Sequence, residues 1–328
     1  MDTGTHLLYG LSLAGLAHID PAVSGDPSTA VAVLIGTLAG QQAPDFDQIL
    51  RVRGNAAYIR NHRGASHSIP AVLLWTAGIT GSLMLFFDNL PWLHVGLWVF
   101  IAIALHVFTD LFNTYGTQAL RPFSDKWISW NIIHIFDPTI FALQAAGIIL
   151  WAVQAAPPQH IFIVVYSLLF LYYLWRTIIH NDLEKKLKEI DPDYKEGNRY
   201  TLIPTVALNV WNVVKQLHTG DYVTGELRNG KLRWMEKVKK IEHPAVEASK
   251  KSNDIQALLY FSPYTAAELH QHPWGYEVHW FDVRYRHRKQ YPFIGVVILD
   301  RNLEIKTSYV GWLSSDKLEK KLSPHIRT

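Results

Sequence analysis

Long apolar runs that are almost free of charge fill the middle of this chain and constrain its fold more than any other feature. The 117 residues from 64 to 180 carry seven charged side chains, whereas the residues after 180 carry 24 Lys or Arg and 19 Asp or Glu. Lipid offers the backbone no hydrogen-bond partner, so a run of this kind crosses a bilayer as helices. We predict an α-helical multipass membrane bundle over residues 1–180, a charged connecting helix over 181–199 and a small α+β, mostly antiparallel, soluble domain over 200–328.

The apolar segments predict the number of spans. A transmembrane helix needs about 20 residues. Four segments are long enough, at residues 69–87, 90–109, 138–157 and 159–175. Two shorter apolar segments, 7–19 and 29–43, come before them and predict either a re-entrant hairpin or a pair of short spans.

The soluble tail shows a different pattern, with short β-like runs separated by turns. The runs lie at residues 209–217, 222–227, 232–241, 256–261, 276–285, 293–299 and 304–309, and a last helix is expected at 317–322.

Basic residues predict how the spans are oriented. All of the Lys and Arg that flank the spans fall on one side, and the two short connections on the other side contain none. Because cytoplasmic loops are enriched in Lys and Arg, we expect a multipass protein of the bacterial cytoplasmic (inner) membrane whose C-terminal domain is cytoplasmic.

Potential metal ligands gather at the cytoplasmic end of these segments. His106 and Asp110 stand four residues apart at the end of the second long span, so they share one face of that helix. The full candidate set is His6, Asp45, His62, His67, His106 and Asp110. The chain has no cysteine, so nitrogen and oxygen must hold any metal. We predict a divalent metal ion, with zinc favoured and manganese or magnesium as alternatives, and leave the number of ions open.

Each of these motifs also has a structural explanation. The His106–Asp110 pair would be a hydrogen-bonded helix end, and His67 would lie beside the cap of the next helix. The aspartates at 45 and 47 would cap or solvate the end of a helix. An ionisable residue inside a span is expensive, however, and is usually functional.

Three further residues are predicted to take part in chemistry. Asp47 is a candidate catalytic carboxylate that would act as a base or orient a ligand. Arg63 and Arg121 are candidate cations for an anionic group of a substrate, because a guanidinium pairs well with phosphate.

The motifs resemble those of the YdjM/YfhP-like family of predicted membrane-bound metal-dependent hydrolases. The resemblance rests on His6, Asp45, the 62–68 loop (HRGASHS) and the run from His106 through residues 113–117 and 122–124. It covers roughly residues 1–180 and extends into the tail in YfhP-like members. It implies a multipass inner-membrane protein that carries a metal site.

The leading prediction is a membrane-embedded metal-dependent hydrolase with its site at the cytoplasmic face. A site at headgroup depth meets the lipid bilayer directly, so an anionic lipid or lipid phosphate is the expected substrate, and no nucleic-acid partner is expected. One alternative is a metal-stabilised scaffold or regulator without enzymatic activity. A transporter ranks lower, because the ionisable residues gather at one face, with His94 as the main exception.

Overall fold

The computed structural model describes residues 1–285 and 293–312. It divides into two compact units. The first comprises Met1–Asp47, His62–Leu183 and Pro204–Leu208, and the second comprises Gln48–Asn61, Glu184–Ile203 and the described part of Asn209–Thr328. The predicted boundaries at 180 and 199 stay predictions.

Eight helices make up most of the chain up to residue 190. They are α1 (Thr3–Leu16), α2 (Pro21–Ser24), α3 (Pro27–Gln42), α4 (Asn55–Asn61), α5 (Ile69–Phe86), α6 (Trp92–Leu111), α7 (Pro138–Ala152) and α8 (Pro158–Ile190). Short 3₁₀ turns cover Ala17–Ile19, Pro44–Arg53 and Ala65–His67. Side-chain oxygens cap several of the N-termini, as Ser68 does for α5 and Asp137 for α7.

Three of the described helices, α5, α6 and α8, are long and apolar enough to cross a membrane. The fourth predicted span, 138–157, is not confirmed. Its helix α7 has 15 residues, which is about 22 Å of rise against a hydrocarbon core of about 30 Å. The helix ends at Ala152 because Gln154 takes a positive φ of 54°. The charged segment after 180 begins as the last turns of α8, not as a separate helix.

Close packing of α3 on α6 fixes one side of the region where the candidate ligands lie. Gly40 lies against α6, where a β carbon would be 3.3 Å from the Val99 carbonyl oxygen. Small residues permit such close approach between membrane helices. The Gln41 side-chain amide then donates to the Ala102 carbonyl at 2.8 Å, which holds the end of α3 against the middle of α6.

The second unit contains two four-stranded sheets. The strands are β1 (Arg199–Pro204), β2 (Val210–Gln216), β3 (Tyr222–Arg228), β4 (Lys231–Val238), β5 (Thr265–His272), β6 (Gly275–Asp282), β7 (Phe293–Asp300) and β8 (Ile305–Trp312). The sheet orders are β1-β2-β3-β4 and β5-β6-β7-β8, with antiparallel pairing, as expected of the tail. Two helices, α9 (Pro244–Ser249) and α10 (Asn253–Phe261), join the sheets in sequence.

One predicted strand is wrong. Residues 256–261 lie in α10, whose N-terminus is capped by the Ser252 side chain. A short apolar run has no clear period, so it fits a strand or a buried helix equally well. Strands β1 and β5 were not predicted, and the predicted helix at 317–322 lies outside the described residues.

Candidate metal centre

Four side chains from three parts of the first unit come together in its interior. His106 and Asp110 lie on α6, Asp45 lies in the turn after α3, and His67 lies in the turn before α5. One ligand atom from each lies within 4.8 Å of those of the other three. All four residues are buried, Asp45 being the most accessible at 9%.

The distances between these atoms are short and similar. The two histidine Nε2 atoms are 3.3 Å apart. The Nε2 of His67 lies 3.7 Å from Asp45 Oδ1 and 3.5 Å from Asp110 Oδ2, and the Nε2 of His106 lies 3.8 and 3.7 Å from the same two oxygens. Four donors held about 2.0–2.2 Å from one zinc ion in a tetrahedron stand about 3.3–3.6 Å apart. The observed arrangement therefore needs only slight contraction to surround an ion.

The other nitrogen of each imidazole is held by an acceptor. His106 Nδ1 lies 2.7 Å from the Gln41 carbonyl oxygen, and His67 Nδ1 lies 3.0 Å from Ser66 Oγ. Ser66 Oγ in turn donates to Asp47 Oδ2 at 2.8 Å. With Nδ1 as the donor, both rings turn Nε2 towards the carboxylates, which is how protein scaffolds usually orient histidine ligands.

Two oxygens of this group lack a hydrogen-bond donor. Asp45 Oδ1 and Asp110 Oδ2 are buried and accept no hydrogen bond from the described residues. Arg63 gives partial charge compensation, because its guanidinium lies 3.2 Å from Asp110 Oδ2 and also donates to Asn113. Buried carboxylate oxygens are normally paired, so these two fit a bound cation.

A second group shares Asp45 with the first. One ligand atom each from Asp45, Asp47 and His62 lie within 4.8 Å of one another, and this group is only half-buried. His62 Nδ1 lies 2.8 Å from Asp47 Oδ1, while Asp47 Oδ2 accepts from the Arg63 backbone amide at 3.0 Å. Arg63, not Gly64, takes the left-handed backbone, with φ of 60°.

His6 lies beside the first group. Its ring stacks on that of His106, with 3.7 Å between centroids, and its Nδ1 lies 3.0 Å from Gln41 Oε1. Its Nε2 lies 3.4 Å from Asp110 Oδ1. The Met1 amino group contacts both Asp110 Oδ1 and His6 Nε2. His6 therefore faces Asp110 Oδ1, whereas His67 and His106 both face Asp110 Oδ2.

Burial and neighbouring charges set the protonation of His67 and Asp45, the two candidate ligands that lie outside the helical spans. Burial lowers the pKa of His67 well below its usual value, and His106 and Arg63 lower it further. Burial alone would raise the pKa of Asp45, but His106, Arg63 and His62 together hold it below its usual value. A neutral imidazole and an ionised carboxylate are the forms that bind metals.

Not every predicted site residue joins these groups. Arg121 forms an ion pair with Asp125 at 2.6 Å in the loop after α6, and Asp125 is 81% exposed there. Gln41 and Ser66, which hold the two imidazoles, were not predicted as site residues. A serine directly before a candidate histidine ligand was the available signal for Ser66. The Gln41 contact to His106 uses a backbone carbonyl, which leaves no signal in the sequence.

Apolar helices long enough to span a bilayer, together with a buried His/Asp group that could hold a metal ion, define a membrane protein with a candidate metal centre. The YdjM inner membrane protein family matches residues 1–183, and the YfhP C-terminal alpha/beta plait domain matches residues 244–322. The chain is 42% identical to the uncharacterised protein YfhP of Bacillus subtilis (strain 168) over 326 residues, which is 98% of each chain. It therefore belongs to the YdjM inner membrane protein family and carries a YfhP C-terminal domain. No solved structure matches it.

Proposed function

We propose that this chain is a metal-dependent hydrolase that acts on a phosphate-bearing lipid at the cytoplasmic face of the membrane. One observation carries the proposal. Two imidazole nitrogens lie 3.3 Å apart, each lies 3.5–3.8 Å from two buried carboxylate oxygens, and neither oxygen accepts a hydrogen bond from the described residues.

The donor set supports a divalent cation. Two carboxylates buried together repel each other. Arg63 and the Met1 amino group both contact Asp110, whereas among the described residues Asp45 is paired with the imidazoles of His67 and His106 alone. Imidazole nitrogens with carboxylate oxygens suit zinc, and manganese also accepts this combination. His6, predicted as a ligand, lies 3.4 Å from Asp110 Oδ1, whereas His67 and His106 face Oδ2, so in this proposal it orients the Asp110 carboxylate.

An ion held here would lower the pKa of a bound water towards neutrality and polarise a phosphoryl oxygen. In the reaction proposed, a water oxygen bonds to phosphorus, the bond from phosphorus to the lipid oxygen breaks, and that oxygen leaves with a proton. Arg63 stabilises Asp110 as a carboxylate, and Arg121 is the proposed cation for the substrate phosphate. Asp47 was predicted as a catalytic carboxylate, and we assign its Oδ2 a positioning role, since that oxygen accepts hydrogen bonds from Ser66 and the Arg63 amide.

Turnover by the purified full chain tests the activity. Wild type and Asp110→Asn would be incubated in detergent with phospholipid and isoprenoid-phosphate analogues and with zinc, manganese or magnesium. We expect turnover that falls at least about a hundredfold in Asp110→Asn, because a charged ligand is lost. Asp88→Asn, the same exchange at an exposed carboxylate between α5 and α6, should keep full activity. If no analogue gives turnover that depends on Asp110, the hydrolase is rejected and the metal-stabilised scaffold takes its place.

Orientation is tested separately. The chain has no cysteine, so Asp125→Cys would introduce a single reactive thiol in the loop after α6. We expect a membrane-impermeant maleimide to label it only after the cells are opened. Labelling of intact cells would place the centre at the outer face and remove cytoplasmic lipids as substrates.

A further inference from the structure

The two candidate ligand groups have one residue in common. The first contains Asp45, His67, His106 and Asp110, and the second contains Asp45, Asp47 and His62. A carboxylate has two oxygens and can serve two cations at once. Asp45 Oδ1 is 3.7 and 3.8 Å from the Nε2 atoms of His67 and His106 and accepts no hydrogen bond from the described residues.

The two groups differ in access to solvent. The side chains of His67, His106 and Asp110 are completely buried, whereas those of His62 and Asp47 are 14% and 6% exposed. Four buried protein donors occupy all the coordination positions of a tetrahedral ion. A set of three donors at the edge of the interior leaves positions that water or a substrate oxygen can occupy.

Two donors of the second group are hydrogen-bonded to each other. His62 Nδ1 lies 2.8 Å from Asp47 Oδ1, so an ion that binds both atoms would displace the proton they share. Asp47 Oδ2 is meanwhile fixed by Ser66 and the Arg63 amide, so the carboxylate is already turned with Oδ1 towards His62.

We infer that the centre holds two divalent ions bridged by the Asp45 carboxylate: a buried ion held by four protein ligands, and a second ion held by Asp45, Asp47 and His62 that keeps positions open for water and for a phosphate oxygen. The buried position suits zinc, and the open position suits manganese or magnesium. Paired ions that share a carboxylate typically stand about 3.5–4 Å apart and clamp the attacking and leaving oxygens of a phosphoester. This inference rests on the proposed metal centre and specifies where substrate would bind in it.

Manganese binding to the full-length protein in detergent tests the inference without any substrate. We expect two manganese ions per chain and an electron paramagnetic resonance spectrum of a spin-coupled pair. One equivalent of zinc should displace the buried manganese and leave the six-line spectrum of an isolated ion. The measurement on the wild-type protein is sufficient by itself: a single bound ion at saturation, or two ions without spin coupling, would overturn the inference.

Variants locate the second ion. His62→Ala should bind one manganese ion per chain with an uncoupled spectrum, and His160→Ala, at the exposed start of α8, should keep the coupled pair. Asp47→Asn provides a second test if His62→Ala fails to fold, as judged by circular dichroism and gel filtration. A coupled pair that persists in a folded His62→Ala and in Asp47→Asn would contradict the assignment.

The outcomes separate this inference from the proposed activity. A coupled pair in a protein that hydrolyses no phosphoester would support the two-ion centre and reject the hydrolase. Turnover that depends on Asp110, in a protein that saturates with one ion, would support the hydrolase and reject the second ion.

Discussion

Buried carboxylates have different kinds of partner in the two units of the molecule. In the second unit, the buried Asp191 carboxylate lies 2.6 Å from Lys215 Nζ and accepts hydrogen bonds from Tyr200 and Trp234. In the first unit, Asp45 and Asp110 each keep a buried oxygen that accepts no hydrogen bond from the described residues.

This difference distinguishes a structural ion pair from a candidate metal-binding site. Burial alone would raise the pKa of Asp191, but Lys215, Tyr200 and Trp234 together hold it below its usual value. Its charge is thus balanced by the protein itself. In the first unit, Arg63 and the Met1 amino group contact Asp110, but among the described residues Asp45 is paired with imidazoles alone. A cation from outside would give it the same balance.

Breaking the ion pair of the second unit should destabilise that unit. In Lys215→Met the Asp191 carboxylate stays buried without its cation, which costs about 3–5 kcal/mol. Hydrogen exchange of β2 and β3 in the full chain should show this loss. Lys237→Met removes a lysine that is half-exposed and 3.0 Å from Asp221, and it should cost less than about 1 kcal/mol. Equal losses of stability in both variants would mean that the buried Lys215–Asp191 pair contributes no more than an exposed one.

Adding metal should stabilise the first unit only. At a concentration about 100 times the dissociation constant, an ion that binds only the folded state contributes about 2.7 kcal/mol. Slower hydrogen exchange at the ends of α3 and α6 should report this, and it should reverse with a chelator. Protection that rises equally in β2 and β3 would show that the ion binds elsewhere or acts on the whole chain.

Ser66 and Ser68 lie in one loop, but replacing each of them should affect a different property of the protein. Ser66→Ala removes the acceptor of His67 Nδ1, so zinc should bind about tenfold more weakly, or about 1.4 kcal/mol. Ser68→Ala removes the cap of α5, which should lower stability by about 1 kcal/mol and leave zinc affinity unchanged. Competition with a chromophoric chelator measures both affinities. Equal zinc affinity in both variants would contradict the orienting role of Ser66.

Arg121→Gln should have the smallest effect on the metal. A guanidinium cannot ligate a cation, and this one pairs with an exposed aspartate, so metal content and stability should stay within error of wild type. If Arg121 binds the substrate phosphate, KM should rise severalfold while kcat changes little. A loss of metal in this variant would place Arg121 in the centre itself.

The candidate ligands could be predicted from the sequence, but the contacts that position them could not. The spacing of His106 and Asp110 predicts a shared helix face, and the ends of the apolar runs place Asp45 and His67 at the same depth, where the structure brings them together. Arg63 stays a predicted cation for the substrate, and its guanidinium also contacts Asp110. The left-handed backbone at Arg63 could not be predicted, because residues other than glycine rarely adopt it.

The fold was predicted best where hydropathy is continuous. Helices α5, α6 and α8 follow directly from apolar runs of full length. The run at 138–157 ends early as a helix because Gln154 adopts a left-handed conformation, which its residue type does not signal. The segment at 256–261 was predicted as a strand because its apolar pattern is short. The capping Ser252 was the signal for a helix.

Metal analysis of the purified full chain tests the central claim most directly. Wild type, Asp110→Asn and Asp125→Asn would be loaded with zinc or manganese, dialysed against metal-free buffer and measured by inductively coupled plasma mass spectrometry. Wild type and Asp125→Asn should retain metal in stoichiometric amounts, and Asp110→Asn should lose it while it still folds and inserts into the membrane. A wild-type protein that retains no metal, or an Asp110→Asn protein that retains as much as wild type, would contradict the account.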